Sequence, residues 1–352
     1  KFFELASKLQ DPCDLSIGMP DYDAPQAIKE AAIAAIREGK NRYTPSAGMP
    51  ELRERIANDL QRDLGTRPEV LVTAGVSGGL TLVLLAILDP GDEVIFLDPY
   101  FVSYIHLVNM VGGRPVTVSS YPDFSFKKSA IEAKITPRTK AIIINSPGNP
   151  TGRVMSESEV KAAAELAESR GLLLISDEIY DQLTYDGVNF CPLAHAQGNT
   201  VLLRGLGKTY GITGWRMGYA AGPSQIIHEM TKLHQYTYVC APSMAQAAAI
   251  TAMDTEVAHF RATKEKKRDL VCGLMEKRFE FTRPSGGFYL FPRVPTGYAT
   301  GEAFCEAALN EGVLVIPGGV FSGQDTHFRL SYAASDAMLR RGCEVLCRLA
   351  KP

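Results

Sequence analysis

From Glu51 to Leu233 short β-branched and aliphatic runs alternate with amphipathic stretches, the pattern of a mostly parallel sheet covered by helices on both faces. Strands are predicted at Val70–Thr73, Val94–Leu97, Pro115–Val118, Ala141–Asn145, Leu172–Ser176, Thr200–Leu203 and Met217–Ala220. Between them Ser156 and Glu159 form a capping box that opens an Ala-rich helix, with its end expected near Arg170-Gly171. Earlier in the chain, Pro25 to Glu38 sets Ala27, Ile28, Ala31, Ala35 and Ile36 on one helical face, and Gly39 follows as a cap. Beyond Pro242 a long helical stretch gives way to short strands near Phe288–Phe291, Val313–Ile316 and Phe328–Ser331, which predicts a compact α+β unit.

At 352 residues the chain exceeds the size at which one core usually keeps growing, so two domains are expected. Residues 41–245 form the predicted large α/β domain and 246–352 the small one, joined by the N-terminal segment 1–40. Apolar residues at 45% and charged residues at 22% match a soluble globular enzyme. A formal net charge of −2 with no basic stripe argues against nucleic acid as a partner. The longest near-continuous apolar run, Leu80 to Leu88 with Thr81 inside it, is well short of the roughly 20 residues that cross a bilayer, so no membrane span is expected. The seven cysteines include no Cys-x-x-Cys pair and read as reduced, which points to the cytosol. Cys343 and Cys347, four apart on a predicted helix, read as small apolar groups. The chain starts at Lys1, which leaves room for a removed targeting peptide.

Ligands of open parallel sheets bind beyond the carboxyl ends of the strands, so the residues just past each strand carry the search. Val70–Thr73 runs into Ala74-Gly75-Val76-Ser77-Gly78-Gly79 before a helix expected from about Leu80. Its free amides and the Ser77 hydroxyl could cradle a phosphate, although such glycine-rich segments are often only tight turns. Ala141–Asn145 leads into Ser146-Pro147-Gly148-Asn149-Pro150-Thr151-Gly152, which either aims Asn149 into a cleft or is an ordinary turn. Leu172–Ser176 ends on Asp177, with Tyr180 three residues on. A carboxylate at a buried strand end calls for a cationic partner.

Gly207-Lys208-Thr209 superficially suggests a nucleotide P-loop, but that pattern needs a glycine five positions before Gly207, where Leu202 stands. Gly211 and Gly214 would also break the required helix. Lys208 instead sits in a glycine-flanked turn eight residues before Arg216, a place for an amine nucleophile beside an anion. The six histidines show no metal-ligand spacing and no catalytic Ser-His-Asp context, so no metal is expected.

Taken in order, Leu15–Asp21, Tyr43–Gly48, Pro99-Tyr100-Phe101, Ser146–Gly152, Asp177–Tyr180, Lys208–Gly218 and Phe328–Ser331 resemble the motifs of class I and II aminotransferases, in the fold type I pyridoxal-phosphate enzymes. The resemblance covers nearly the whole chain and implies a large domain with a seven-stranded, mostly parallel sheet plus a smaller α+β domain. It implies pyridoxal 5′-phosphate as cofactor, amino acid and 2-oxo acid as substrates, and a ping-pong cycle. By the same resemblance Lys208 would be the Schiff-base lysine and proton shuttle, and Asp177 would pair with the ring nitrogen. Asn149 and Tyr180 would bond the ring's phenolic oxygen, and Phe101 would stack on the ring. Arg216, the amides of Gly75 and Val76, and Ser77 would hold the phosphate, with Tyr43 reaching over from the second subunit of a homodimer. Arg329 would clamp the substrate carboxylate beside Ile17, Gly18 and Asn149.

Four positions depart from that family's usual pattern. Gly205 and Gly207 stand where relatives carry Ser or Ala, Ser77 where some aspartate-specific relatives carry lysine, and Phe101 where many carry Trp. The same scaffold hosts carbon–sulfur β-lyases, and a nucleotide-binding protein or an inactive regulator on this fold are the readings from other classes.

Overall fold

The computed structural model describes residues 12–350. After a two-residue strand β1 (Cys13–Asp14), seven strands form one sheet: β2 (Glu69–Ala74), β3 (Glu93–Asp98), β4 (Arg114–Ser119), β5 (Thr139–Asn145), β6 (Leu173–Asp177), β7 (Thr200–Gly205) and β8 (Met217–Gly222). They lie in the order β2-β8-β7-β6-β5-β3-β4. Every predicted strand of the large sheet is present, each within two residues of its expected ends. All pairings are parallel except those of β8, which runs against both β2 and β7.

Alternation along these strands divides the core between the two faces. Val94 and Phe96 of β3 and Ile143 of β5 pack under the helices Gly75–Ile87 and Ser103–Met110, whereas Ile95, Ile142 and Ile144 pack under Glu157–Arg170. Each such fully buried aliphatic side chain contributes roughly 1.5–3 kcal/mol. The capping box forms as expected, with Ser156 accepting from the Glu159 amide and Glu159 from the Ser156 amide, and the helix closes on Gly171. The helix after β2 differs from expectation. It begins at Gly75 rather than near Leu80, because the glycines of Gly75–Gly79 form its first turns against β2 and β7 instead of a separate loop.

The remaining strands, β9 (Tyr289–Leu290), β10 (Val313–Leu314), β11 (Ile316–Pro317) and β12 (Phe328–Ser331), build two small sheets. The single strand expected over Val313–Ile316 is split because its halves serve different partners. β10 pairs with β1, while β11 turns to pair with β12, which in turn pairs with β9. Thus residues just after the described start reach the C-terminal unit, whereas the helix Gln26–Arg37 packs along Ser243–Met253 through Ile28, Ala32, Ala248 and Ala252. Residues 1–11 of the expected N-terminal segment lie outside the described residues. Among the described residues no helix is long and apolar enough to cross a membrane.

Candidate active site

Strand polarity gathers the chemistry. With β2 to β7 all running one way, the residues that follow β2, β3, β5, β6 and β7 meet at the carboxyl edge of the sheet. The reversed β8 brings the residue that precedes it, Arg216, to the same edge. β12 and β9 add Arg329 and Tyr289 from the opposite side. Between them lies a cleft of about 220 Å³, lined by the predicted residues Gly18, Gly75, Val76, Ser77, Phe101, Asn149, Asp177, Tyr180, Lys208, Arg216 and Arg329. Two predicted residues do not line it within this chain: Ile17 is 48% exposed beside Gly18, and Tyr43 is 82% exposed.

Lys208 lies in a single helical turn, Gly207–Tyr210, between β7 and the left-handed Gly211. Its ammonium group donates to the carbonyl of Gly18. Burial, reinforced by the nearby positive charges of Arg329 and Arg216, pushes its pKa down to about 8, so a useful fraction is neutral amine near physiological pH. At Gly205 a β-carbon would crowd the terminal methyl of Ile179, so any side chain there requires that methyl to move.

Asp177 ends β6 with its carboxylate fully buried. Tyr104 Oη donates to Oδ2 at 2.7 Å and the Ile179 amide to Oδ1 at 3.2 Å. The cationic partner expected from sequence is not among these contacts, which are neutral, and burial pushes the carboxyl pKa up to about 6. In the fold Asp177 therefore keeps a proton up to about pH 6, against an ordinary value of 3.8. Between those values the folded state holds more protons than the unfolded one, so this group makes stability fall as pH rises. Asp177→Asn should accordingly stabilise the cofactor-free protein at pH 7 by on the order of 3 kcal/mol. Urea unfolding checks this: the gain should fade as pH drops through 6 towards 4, and an equal gain at both ends would contradict the carboxylate's burial as its cause.

Arg329, 8% exposed, donates from Nη1 to Asn149 Oδ1 at 3.1 Å and from Nη2 to the Ser16 carbonyl at 2.7 Å. Its guanidinium carbon lies 4.5 Å from the Tyr289 ring centre and 4.6 Å from that of Phe321. Its Nε is buried and has no partner among the described residues. Tyr180 and Tyr289 share a hydrogen bond of 3.0 Å between their hydroxyls, and burial raises the Tyr180 pKa well above the ordinary phenol value. Phe101 packs edge-on against Tyr104, with ring centres 5.6 Å apart.

At the other end, the helix Gly75–Ile87 has no side-chain N-cap, which leaves its first-turn amides available to an anion. Gly75 has φ +73°, and a β-carbon there would lie 2.7 Å from Arg216 Nη2, so this close approach requires glycine. Arg216, itself at φ 53°, is braced by the carbonyls of Thr213 at 3.0 Å and Ala74 at 3.4 Å.

Sequence reasoning missed Tyr104, Asn145 and Tyr289. Asn145 donates to the Asp177 carbonyl and accepts from the Asn149 amide, each at 2.8 Å, and so ties two site loops together. Its signal was available: a lone amide closing the run Ala141–Ile144. Tyr104 and Tyr289 carried no comparable mark, since an aromatic in an apolar segment most often reads as core.

The model of the aminotransferase class I and II family matches residues 10–346. The chain belongs to that family. It is 39% identical to the aspartate/prephenate aminotransferase of Thermus thermophilus, over 99% of this chain and 94% of that one. It is 40% identical to the aspartate aminotransferase of Geobacillus stearothermophilus, over 98% and 93%. The structure of the Thermus thermophilus aspartate aminotransferase with maleate superposes with a TM-score of 0.94 at 38% identity, covering 99% of this chain and 94% of that one. This protein is thus an aminotransferase dependent on pyridoxal 5′-phosphate. The donor set fits that group: an amine of lowered pKa, an uncapped helix end beside an arginine, and a buried carboxylate with neutral partners.

Proposed function

We propose that the cleft carries the whole transfer of an amino group between an L-amino acid and a 2-oxo acid, in two half-reactions at one site, with Lys208 as the amine that holds the cofactor. The observation that supports this best is a pair: a buried lysine of lowered pKa and a buried arginine with an unused Nε, facing one cleft. When bound, the cofactor supplies an electron sink that acidifies the Cα–H bond of the amino acid. Once the incoming amino acid has displaced it from the cofactor, the freed Lys208 amine would take up the Cα proton on Nζ and hand it on as the proton shuttle of the transfer. Asp177 holds a proton on the ring nitrogen, since a buried carboxylate is stabilised by a cationic neighbour. Asn149 accepts from Arg329 through Oδ1, which leaves its amide N–H groups, with the Tyr180 hydroxyl, to donate to the ring oxygen. Phe101 packs on the ring. Arg216, Ser77 and the amides of Gly75 and Val76 hold the phosphate. Arg329, with the backbone of Ile17 and Gly18, clamps the substrate α-carboxylate.

We further read the protein as a cytosolic homodimer in which Tyr43 completes the phosphate site of the partner subunit. His234 bonds the Ser46 carbonyl at 2.8 Å, so the Tyr43 loop adjoins the end of the helix Ser224–Thr237. Tyr236 and Tyr238, 85% and 43% exposed, lie there too, an aromatic patch suited to a self-contact. Residues 41–245 are read as the large domain, and 246–352 with the N-terminal segment as the small one.

The test is the visible spectrum of the reconstituted protein before and after an amino acid panel without oxo acid. The expected result is a band that bleaches with an effective donor and returns with a 2-oxo acid. No band after reconstitution would refute the reading. A band that persists while pyruvate and ammonia accumulate would instead assign β-elimination.

A further inference from the structure

Ser16 to Tyr22 forms a strap over one wall of the cleft, and it touches both principal side chains. The Ser16 carbonyl accepts from Arg329 Nη2 at 2.7 Å, and the Gly18 carbonyl accepts from Lys208 Nζ. Tyr22 Oη donates to the backbone carbonyls of Lys208 and Thr209 at 2.8 and 2.9 Å. The near end of the strap is fixed by β1 and by the Ser331 amide, which donates to the Leu15 carbonyl at 2.8 Å. In its middle, Ile17 and Met19 are about half exposed, at 48% and 49%, and give little anchorage.

The far end is held differently. Asp21 is paired with two lysines one turn apart on the helix Ala258–Met275, Lys264 and Lys267. Lys264 has no exposed side-chain surface. Its ammonium group lies 5.1 Å from the ring centre of Tyr22 and 5.7 Å from that of Phe288, and Phe288 in turn lies 6.0 Å from the Lys208 ammonium. Tyr22 is stacked on Phe260 of the same helix, with ring centres 4.3 Å apart. A buried lysine is costly, and an apolar side chain of similar length would fill the same space at lower cost, so stability alone does not account for it. What a cation supplies at this point is direction: it pulls the Asp21 carboxylate onto the helix and presents a charge to the Tyr22 ring, whose hydroxyl bonds the backbone at Lys208.

We propose that Lys264 is a positioning residue, which through Asp21 and Tyr22 holds the strap in register with both Lys208 and Arg329. It touches neither substrate nor cofactor. Loosening the strap would let the Ser16 carbonyl leave Arg329 and the Gly18 carbonyl leave Lys208, which weakens substrate capture more than the chemical step. The proposal rests on the reading of Lys208 and Arg329 given above.

Two variants test it. Lys264→Met removes the charge and leaves Asp21 its pair with Lys267. Tyr22→Phe removes only the hydroxyl, and decides the question should the first variant not fold. Amide hydrogen exchange on the cofactor-free protein should rise about tenfold over residues 16–22 and 207–211 while the strands of the large sheet stay as protected as in the parent. In the loaded enzyme the KM for the amino acid should rise about tenfold with kcat changed less than about threefold. Unchanged exchange in these segments, or a uniform loss of protection with KM as in the parent, would overturn the proposal and leave Lys264 a structural residue. Failure of the underlying reading has its own signature, a visible cofactor band that survives Lys208→Ala in the otherwise unaltered protein.

Discussion

Lys208→Ala should show no lysine-dependent visible band after incubation with pyridoxal phosphate, and amino transfer should fall by at least about four orders of magnitude. Two separate losses combine in that figure. On the proposed reading the variant lacks both the amine that would anchor the cofactor and the base that would move the Cα proton, and among the described residues lining the cleft no other group is suited to replace it. The guanidinium groups of Arg216 and Arg329 are donors only, with no lone pair to accept a proton, Asp177 is committed to a buried position beside Tyr104, and burial raises the Tyr180 pKa well above the ordinary phenol value. Structural collapse is not expected to explain the loss. Lys208 is held by one hydrogen bond to Gly18 in a turn closed independently by Gly211, and its charged form is already disfavoured by burial. The pKa sign gives a check on the parent: with the value lowered from 10.5 to about 8, labelling of this amine by an acylating reagent in the cofactor-free protein should rise through about pH 8, well below the range of surface lysines. Partial rescue of the variant by a small primary amine would assign the lost chemistry to the missing amino group. A residual rate above about a hundredth of the parent would move the proton transfer to another residue.

The large sheet was legible because its strands are buried on both faces and bounded by turn residues, so that runs such as Ala141–Asn145 stand out from their surroundings. Its carboxyl edge follows from the direction of the strands, and Gly75, Asn149, Asp177 and Lys208 stand out in the sequence as residues just past strand ends. Arg329 was marked by resemblance alone, since β12 is short and its partners β9 and β11 are distant in sequence. The same distance hid the rest. Tyr289 meets Tyr180 across 109 positions, and Lys264 meets Asp21 across 243. Neither pair leaves a periodic or local trace, because only the packing of the small sheet and the long helix onto the strap brings them together. The split of Val313–Ile316 has the same origin, as pairing with β1 and with β12 is decided by tertiary contacts and not by the hydrophobicity of the run.

Arg329→Lys keeps the positive charge and should nonetheless lower kcat/KM by about 10² to 10³-fold, mostly through KM. The guanidinium plane lies within reach of both the Tyr289 and Phe321 rings, donates to Asn149 and Ser16, and still has Nε unused. A lysine ammonium is a point donor without that plane, and cannot serve Asn149, Ser16 and a carboxylate together in the geometry a fork allows. The partners it abandons are themselves buried, so their unmet hydrogen bonds add to the cost. The prediction has a symmetry that a merely local disturbance would lack. Amino acid and 2-oxo acid carry the same α-carboxylate, so the rise in KM should be similar in both half-reactions, while the visible band of the resting enzyme stays as in the parent. A loss confined to one half-reaction would assign Arg329 to a side chain instead of the shared carboxylate. A lost band with unchanged KM would assign it to the cofactor.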